Sequence, residues 1–150
     1  MAIISGPGGI DLEAALAEVG VSFVHAPGDD APAEVLGEVL RPGEFQVRAV
    51  VVAEPPAPGK EHTGMGAWHV NAVHEAHFAR SGRGILQVVL ADGIATVEVI
   101  PGDVMLIRGA EHRYLPLEAQ EWVLRHTGPD DADLRARETG RAGAPWPSAV

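Results

Sequence analysis

The 150-residue chain contains no cysteine. That excludes a disulfide framework, a thiolate zinc site, an iron–sulfur cluster and a cysteine nucleophile, so any bound metal must be held by imidazole, carboxylate or amide groups. Positive charge is also scarce. With 11 Lys+Arg against 21 Asp+Glu, the formal charge is −10 when the histidines are neutral, and a phosphate backbone or an anionic membrane surface would be repelled rather than attracted. No apolar run approaches the roughly 20 residues that span a bilayer. The start, Met1 to Pro7, lacks the basic region and long apolar core of a signal peptide, and a cytoplasmic protein is expected. Nucleophilic serine chemistry has no support, because Ser5, Ser22, Ser81 and Ser148 lie in no nucleophile-elbow context. Gly6-Pro7-Gly8-Gly9 is too short and too proline-marked for a phosphate loop.

At 15.7 kDa one domain is the default, and at this length roughly 70% of the unfolded chain's surface can be buried without a structural staple. Eighteen Gly and twelve Pro in a chain that is 46% hydrophobic point to many short elements joined by turns rather than to disorder. Leu12, Ala15, Leu16 and Val19 recur at helical spacing, so a helix is predicted over Asp11–Val19, capped by Asp11 and stopped by Gly20. A second short helix is predicted over Ala33–Leu40, between the turn-rich Pro27–Pro32 and Arg41-Pro42-Gly43. Strands are predicted at Val21–His25, Gln46–Ala53, Phe78–Arg80, Ile85–Leu90, Ala95–Ile100, Val104–Ile107 and Trp122–His126. A turn signal about every ten residues favours a sandwich or barrel over a βαβ sheet. The tail Ala132–Val150 reads as one helical turn and then an extended arm.

Four of the seven histidines crowd around one stretch, and the site argument starts there: His69, His74 and His77 lie in Trp68–Phe78, with His62 just before it, and His112 follows the strand Val104–Ile107. Alternate side chains on a strand share a face, so His69 pairs with Asn71, and Glu75 with His77, while His74 points the other way. If a turn between Asn71 and Glu75 returns both runs to a barrel interior, these four converge and His112 can complete the set. Two imidazoles and one carboxylate on one face of an ion, with open positions left for substrate or O2, suit Fe(II); zinc and nickel also accept the set.

The run from His69 through Glu75 to Gly82-Arg83-Gly84, then Pro101-Gly102-Asp103 and His112, resembles the cupin superfamily. Over nearly the whole chain the layout is similar to the acireductone dioxygenase family, from Asp11–Phe23 through Phe45–Val52 and Glu75–Gly84 to Arg125-His126-Thr127-Gly128. The sequence departs from that family in carrying Asn71 in place of its second motif histidine and His77 in place of an Arg. Arg108 stands where proline is usual, and His112 comes one residue early. The spacing His69, Glu75, His112 is similar to that of 3-hydroxyanthranilate dioxygenases, which bind iron through two His and one Glu.

The resemblance implies a mainly β, small single-domain cupin (a double-stranded β-helix or jelly-roll barrel) with one or two N-terminal helices. Residues 1–44 would pack on a barrel of residues 45–128, and residues 129–150 would form a C-terminal arm. His69, Glu75 and His112 are the expected metal ligands, for Fe(II) first and Ni(II) or Zn(II) next. Asn71, a weak ligand type, is expected to orient water or substrate, with direct coordination the alternative. For His77 three roles stay open: a further ligand, a general acid/base, or a core histidine bonded to backbone. Arg125 is the candidate anchor for an acidic substrate, and Trp68, Met105 and Trp122 are candidates for the barrel mouth. The implied function is a dioxygenase-like metal enzyme acting on a small polar or acidic metabolite with O2. The alternatives are a zinc-dependent non-oxidative enzyme (lyase, isomerase or coupling step) and a small-molecule-binding cupin without catalysis. An uncovered sheet edge would favour a homodimer. His62 is expected in a loop, and His25 and His126 in ordinary packing.

Overall fold

The computed structural model describes residues 2–25, 47–127 and 135–147. The described strands are β1 (Ala2–Ser5), β2 (Val21–His25), β3 (Val47–Ala53), β4 (His69–Asn71), β5 (Glu75–Ala79), β6 (Gly84–Leu90), β7 (Gly93–Val99), β8 (Asp103–Ile107), β9 (His112–Pro116), β10 (Gln120–His126) and β11 (Ala136–Glu138). They build two antiparallel sheets, β1-β7-β6-β9-β4-β11 and β2-β8-β5-β10-β3. After the β6–β7 hairpin, which closes with Leu90 opposite Gly93, the chain alternates between the sheets: β7 in the first, β8 in the second, β9 in the first, β10 in the second. This is the jelly-roll connectivity expected of short strands with a turn every few residues.

Helix α1 (Leu12–Glu18) forms where the apolar spacing predicts it. The Asp11 carboxylate accepts from the Glu13 and Ala14 amides at 3.1 and 3.2 Å, and Leu16 is buried. The N-terminal segment also supplies strands to both sheets, since β1 pairs with β7 and β2 with β8. The predicted helix Ala33–Leu40 and the turns on either side of it lie outside the described residues. Among those described, no helix is long and apolar enough to cross a membrane.

Apolar side chains of α1, β6, β7, β8 and β10, including Leu16, Leu86, Val88, Val97, Met105, Ile107 and Trp122, form the main core. Phe78, Val104 and Val123, with Val24, make a smaller cluster on the second sheet. The glycine pair before β6 has two separate jobs. Gly82 adopts φ +71°, which an L side chain disfavours. Gly84 lies against the Tyr114 ring, in the space a Cβ would need. Tyr114 is thereby held with its hydroxyl donating to Gln120 Oε1 at 2.7 Å.

The C-terminal arm differs from expectation. Residues 136–138 form the strand β11, which pairs with β4 at the edge of the first sheet, and residues 128–134 lie outside the described residues. Strand pairing wins over the expected helical turn because β4, only three residues long, offers β11 a free edge, and the Thr139 amide extends the pairing to the Trp68 carbonyl at 3.0 Å.

Candidate metal centre

Strands β4 and β9 are neighbours in the first sheet and meet at one register pair, His69 opposite His112. The two rings are 4.3 Å apart, centroid to centroid, and tilted by 57°. Each Nδ1 faces the backbone carbonyl two residues earlier, Ala67 at 2.7 Å for His69 and Ala110 at 2.8 Å for His112. A carbonyl can only accept, so each Nδ1 carries the proton and each Nε2 keeps its lone pair, the tautomer a metal requires. Both rings are buried. Burial lowers the His69 pKa, and burial together with neighbouring His69 lowers that of His112 to about 4. Both are neutral imidazoles at neutral pH.

The chain leaves the first sheet after Asn71 and enters the second at Glu75. This crossing is why two runs close in sequence face one interior from opposite sides. Glu75 and His77 alternate along β5 and point inward, with Glu75 Oε2 3.8 Å from His77 Nε2, beyond hydrogen-bonding range. Burial raises the Glu75 pKa to about 7. Burial, then the charge of His112, depresses that of His77 to about 3, and the edge of the His77 ring meets Trp122 at 5.1 Å. The interior is a cavity of about 300 Å³ into which His69, Asn71, Glu75, His77 and His112 all project. Its other walls include Leu86, Met105, Ile107, Tyr114, Trp122 and Leu124, with Met65 and Ala136 contributing from the 3-10 turn Gly64–Gly66 and from β11. Among the described residues, no three His, Asp or Glu side chains already stand in ligating geometry about one point. The His69–His112 pair belongs to one sheet, and Glu75, beside His77, belongs to the other.

Two expected substrate contacts are not at the cavity. Trp68 precedes His69 on the chain, and alternation turns it to the opposite face of the sheet, where it is 2% exposed. Arg125 follows Leu124, which lines the cavity, so Arg125 faces outward on β10, across from Ala76. Both corrections have the same cause, the two-residue period of a strand. Of the proposed mouth residues, Met105 and Trp122 do line the cavity. His74 is exposed, as alternation predicts. His25 bonds Asp103 at 2.9 Å, and His126 is buried with Nδ1 2.9 Å from the Thr127 carbonyl.

Sequence reasoning passed over Arg113. It follows His112 and is fully buried on the outer face of the first sheet, where its guanidinium lies 4.8 Å from the centroid of the Trp68 ring and 4.0 Å from that of Trp146. It donates to Gln87 Oε1 at 2.7 Å and to the Ala144 carbonyl at 2.8 Å, and its third contact is His62 Nδ1 at 3.1 Å. Arg141 bonds Glu111 at 2.9 and 3.1 Å, and Thr139 bonds the same carboxylate. The arm is thus clasped across the strands that carry His69 and His112. The alternation that puts His112 and Tyr114 inside puts Arg113 outside, and this was the available signal.

No protein-family profile matches the chain, and no curated protein matches it at a significant level. Solved structures do. An acireductone dioxygenase from Bacillus anthracis, with a cadmium ion in its active centre, superposes with a TM-score of 0.57 at 18% identity, covering 87% of this chain and 92% of that one. An oxalate decarboxylase from Lactobacillus farciminis (TM-score 0.46, 15% identity, 81% of this chain and 32% of that one) and a ribosomal oxygenase from Escherichia coli (0.45, 18%, 65% and 27%) are also similar. The chain has the cupin fold, in a layout resembling acireductone dioxygenase.

Proposed function

We propose that the cavity holds a divalent metal ion through His69, Glu75 and His112, and that the chain is a cytoplasmic metal-dependent enzyme acting on a small molecule. Fe(II) with O2, hence dioxygenase chemistry, is the first assignment. The observation that carries it is the His69–His112 pair: adjacent neutral imidazoles, each turned by its own backbone carbonyl so that Nε2 is left as a donor. Glu75 supports it, because burial is the cause of its raised pKa, and an adjacent cation would favour the carboxylate and offset that cost. That the similarly laid-out Bacillus anthracis protein holds cadmium in its active centre is in keeping with this assignment.

When bound, the ion would supply Lewis acidity and, as iron, an electron path to O2. The chain's own residues do the rest. His77, kept neutral by burial, presents its Nε2 beside Glu75 as an uncharged hydrogen-bonding group for water or substrate. Asn71 projects into the cavity from the end of β4, where its amide can orient water or substrate. The walls of Leu86, Met105, Ile107, Trp122 and Leu124 keep bulk water from the reacting atoms.

A zinc-dependent non-oxidative enzyme is the second assignment, favoured by a donor set of two His and one Glu that zinc takes readily with one position left open. Metal-loaded protein with a substrate panel in an oxygen electrode separates the two: an oxygenase consumes O2 in step with turnover, whereas a zinc enzyme keeps its rate under argon. Retention of iron by His112→Ala equal to that of the unaltered protein would rule out the site itself.

A further inference from the structure

We propose that the C-terminal arm is a proton-sensitive strap, docked on the outer face of the first sheet while His62 is neutral and released when His62 takes up a proton. No metal or cavity ligand is involved. The arm stretch 139–147 reaches Arg113 on β9, a side chain that is fully buried. Its guanidinium lies against the Trp68 and Trp146 rings and donates to Gln87 Oε1 and to the Ala144 carbonyl. The Trp146 indole donates in turn to the Glu61 carbonyl at 3.0 Å. The arm is therefore held by the segment that carries His62 as well as by β9.

The contact between His62 Nδ1 and Arg113 Nη1, 3.1 Å long, fixes the state of the imidazole. A guanidinium has donors and no acceptor, so Nδ1 presents its lone pair and the ring proton is on Nε2. A second proton can then bind only at Nδ1, the atom that Arg113 already occupies. It would cancel the hydrogen bond and set two cations side by side. Little nearby absorbs that charge, because Arg113 takes part in none of the ion pairs among the described residues. The charged groups of the segments that meet at His62 are Lys60 and Glu61 beside it, Arg113 and Glu111 on the β9 side, and Arg141 on the arm. Glu111 is paired with Arg141 at 2.9 Å. Glu61, the carboxylate whose charge interacts with His62, lies where water screens it and accepts from the Gly59 amide at 3.1 Å. Gly143 of the arm lies against the imidazole, in the space a Cβ would need, so movement of the ring is transmitted to the arm. His62 is exposed, and protons reach it without prior opening.

Papain digestion of the full-length protein between pH 8 and pH 5, with each rate divided by that of an unfolded peptide of the arm's sequence, reads the fraction of open arm. The docked arm requires neutral His62 and the released arm accepts the protonated form. Docking is therefore at full strength at pH 8 and is lost as pH falls through histidine's usual titration range, with the open fraction rising by up to about tenfold per pH unit. His62→Gln, uncharged at every pH and able to accept from Arg113 through Oε1, should keep the arm as closed at pH 5 as at pH 8. His62→Lys carries the charge permanently and should open at pH 8 as far as the unaltered protein does at pH 5. A normalised rate that does not change with pH in the unaltered protein overturns the proposal, as does a His62→Lys arm that stays closed at pH 8. A His62→Gln rate that rises with acid as the parent's does also overturns it, and assigns the response to loosening of the barrel as a whole.

Discussion

Replacing Glu75 by Gln should stabilise the metal-free protein and abolish its response to metal. In the apo fold burial moves the Glu75 pKa from 4.5 to about 7. A folded-state pKa above the unfolded one means that the fold binds the proton more tightly. The cost is therefore absent below about pH 4.5, grows as pH rises, and is complete above about pH 7. At about 1.4 kcal/mol per pKa unit, the carboxylate costs the apo fold about 3 kcal/mol at pH 8. Gln is uncharged and nearly isosteric, so Glu75→Gln should gain about 2–3 kcal/mol at pH 8, a rise in Tm of about 4–12 °C for a chain of this size. At pH 5 the gain should fall below about 1 kcal/mol. His77 and His112, lowered to about 3 and 4, act in the opposite sense: their contribution is present above pH 6.5 and lost as pH falls toward those values. They are present in both proteins, so the difference between the two melting curves isolates Glu75. Scanning calorimetry of chelator-treated protein at pH 5 and pH 8, repeated with Zn(II) or Co(II), gives all four numbers. A variant less stable than the parent at pH 8, or a gap that does not narrow by pH 5, would refute the buried-carboxylate argument. A variant that metal still stabilises would refute Glu75 as a ligand.

Three further outcomes are expected. Arg113→Met removes two aromatic contacts and leaves Gln87 Oε1 and the Ala144 carbonyl without their charged donor. Chemical denaturation should show a loss of about 3 kcal/mol, and limited proteolysis should release the arm, whereas an arm as resistant as in the parent would show that the clasp does not hold it. Gly84→Ala puts a Cβ into the Tyr114 ring and should cost about 1–3 kcal/mol by overpacking; an unchanged urea midpoint would contradict that. Edge strand β3 exposes Val50 and Val52 at 56% and 64% and is paired on one side only, with β10, among the described residues. We propose that two copies pair there: light scattering should give twice 15.7 kDa, and Val52→Lys should halve that mass. A monomer in the unaltered protein would refute the pairing.

Seven of the eleven described strands were legible because short apolar runs bounded by glycine or proline turns mark them, whereas β1, β4 and β9 carry no such run, and the inward set His69, Asn71, Glu75, His77 and His112 was legible because alternation is strict once two positions are anchored. Trp68 and Arg125 were misplaced for want of applying the same rule from the neighbours His69 and Leu124. Arg113 escaped notice because its partners Trp146, Ala144 and His62 come from segments distant in sequence, and a buried arginine is recognisable only once those segments are brought together. β11 was missed for a related reason: a three-residue strand carries too little periodicity, and it forms because β4 offers an edge.

The most direct measurement is the metal content of chelator-stripped protein after anaerobic loading with Fe(II), and separately with Zn(II), followed by gel filtration. The unaltered chain should retain one ion per protomer, and His69→Ala, Glu75→Gln and His112→Ala should each elute nearly metal-free while remaining folded. A parent that elutes without metal, or three variants that retain it as the parent does, would contradict a His69–Glu75–His112 centre.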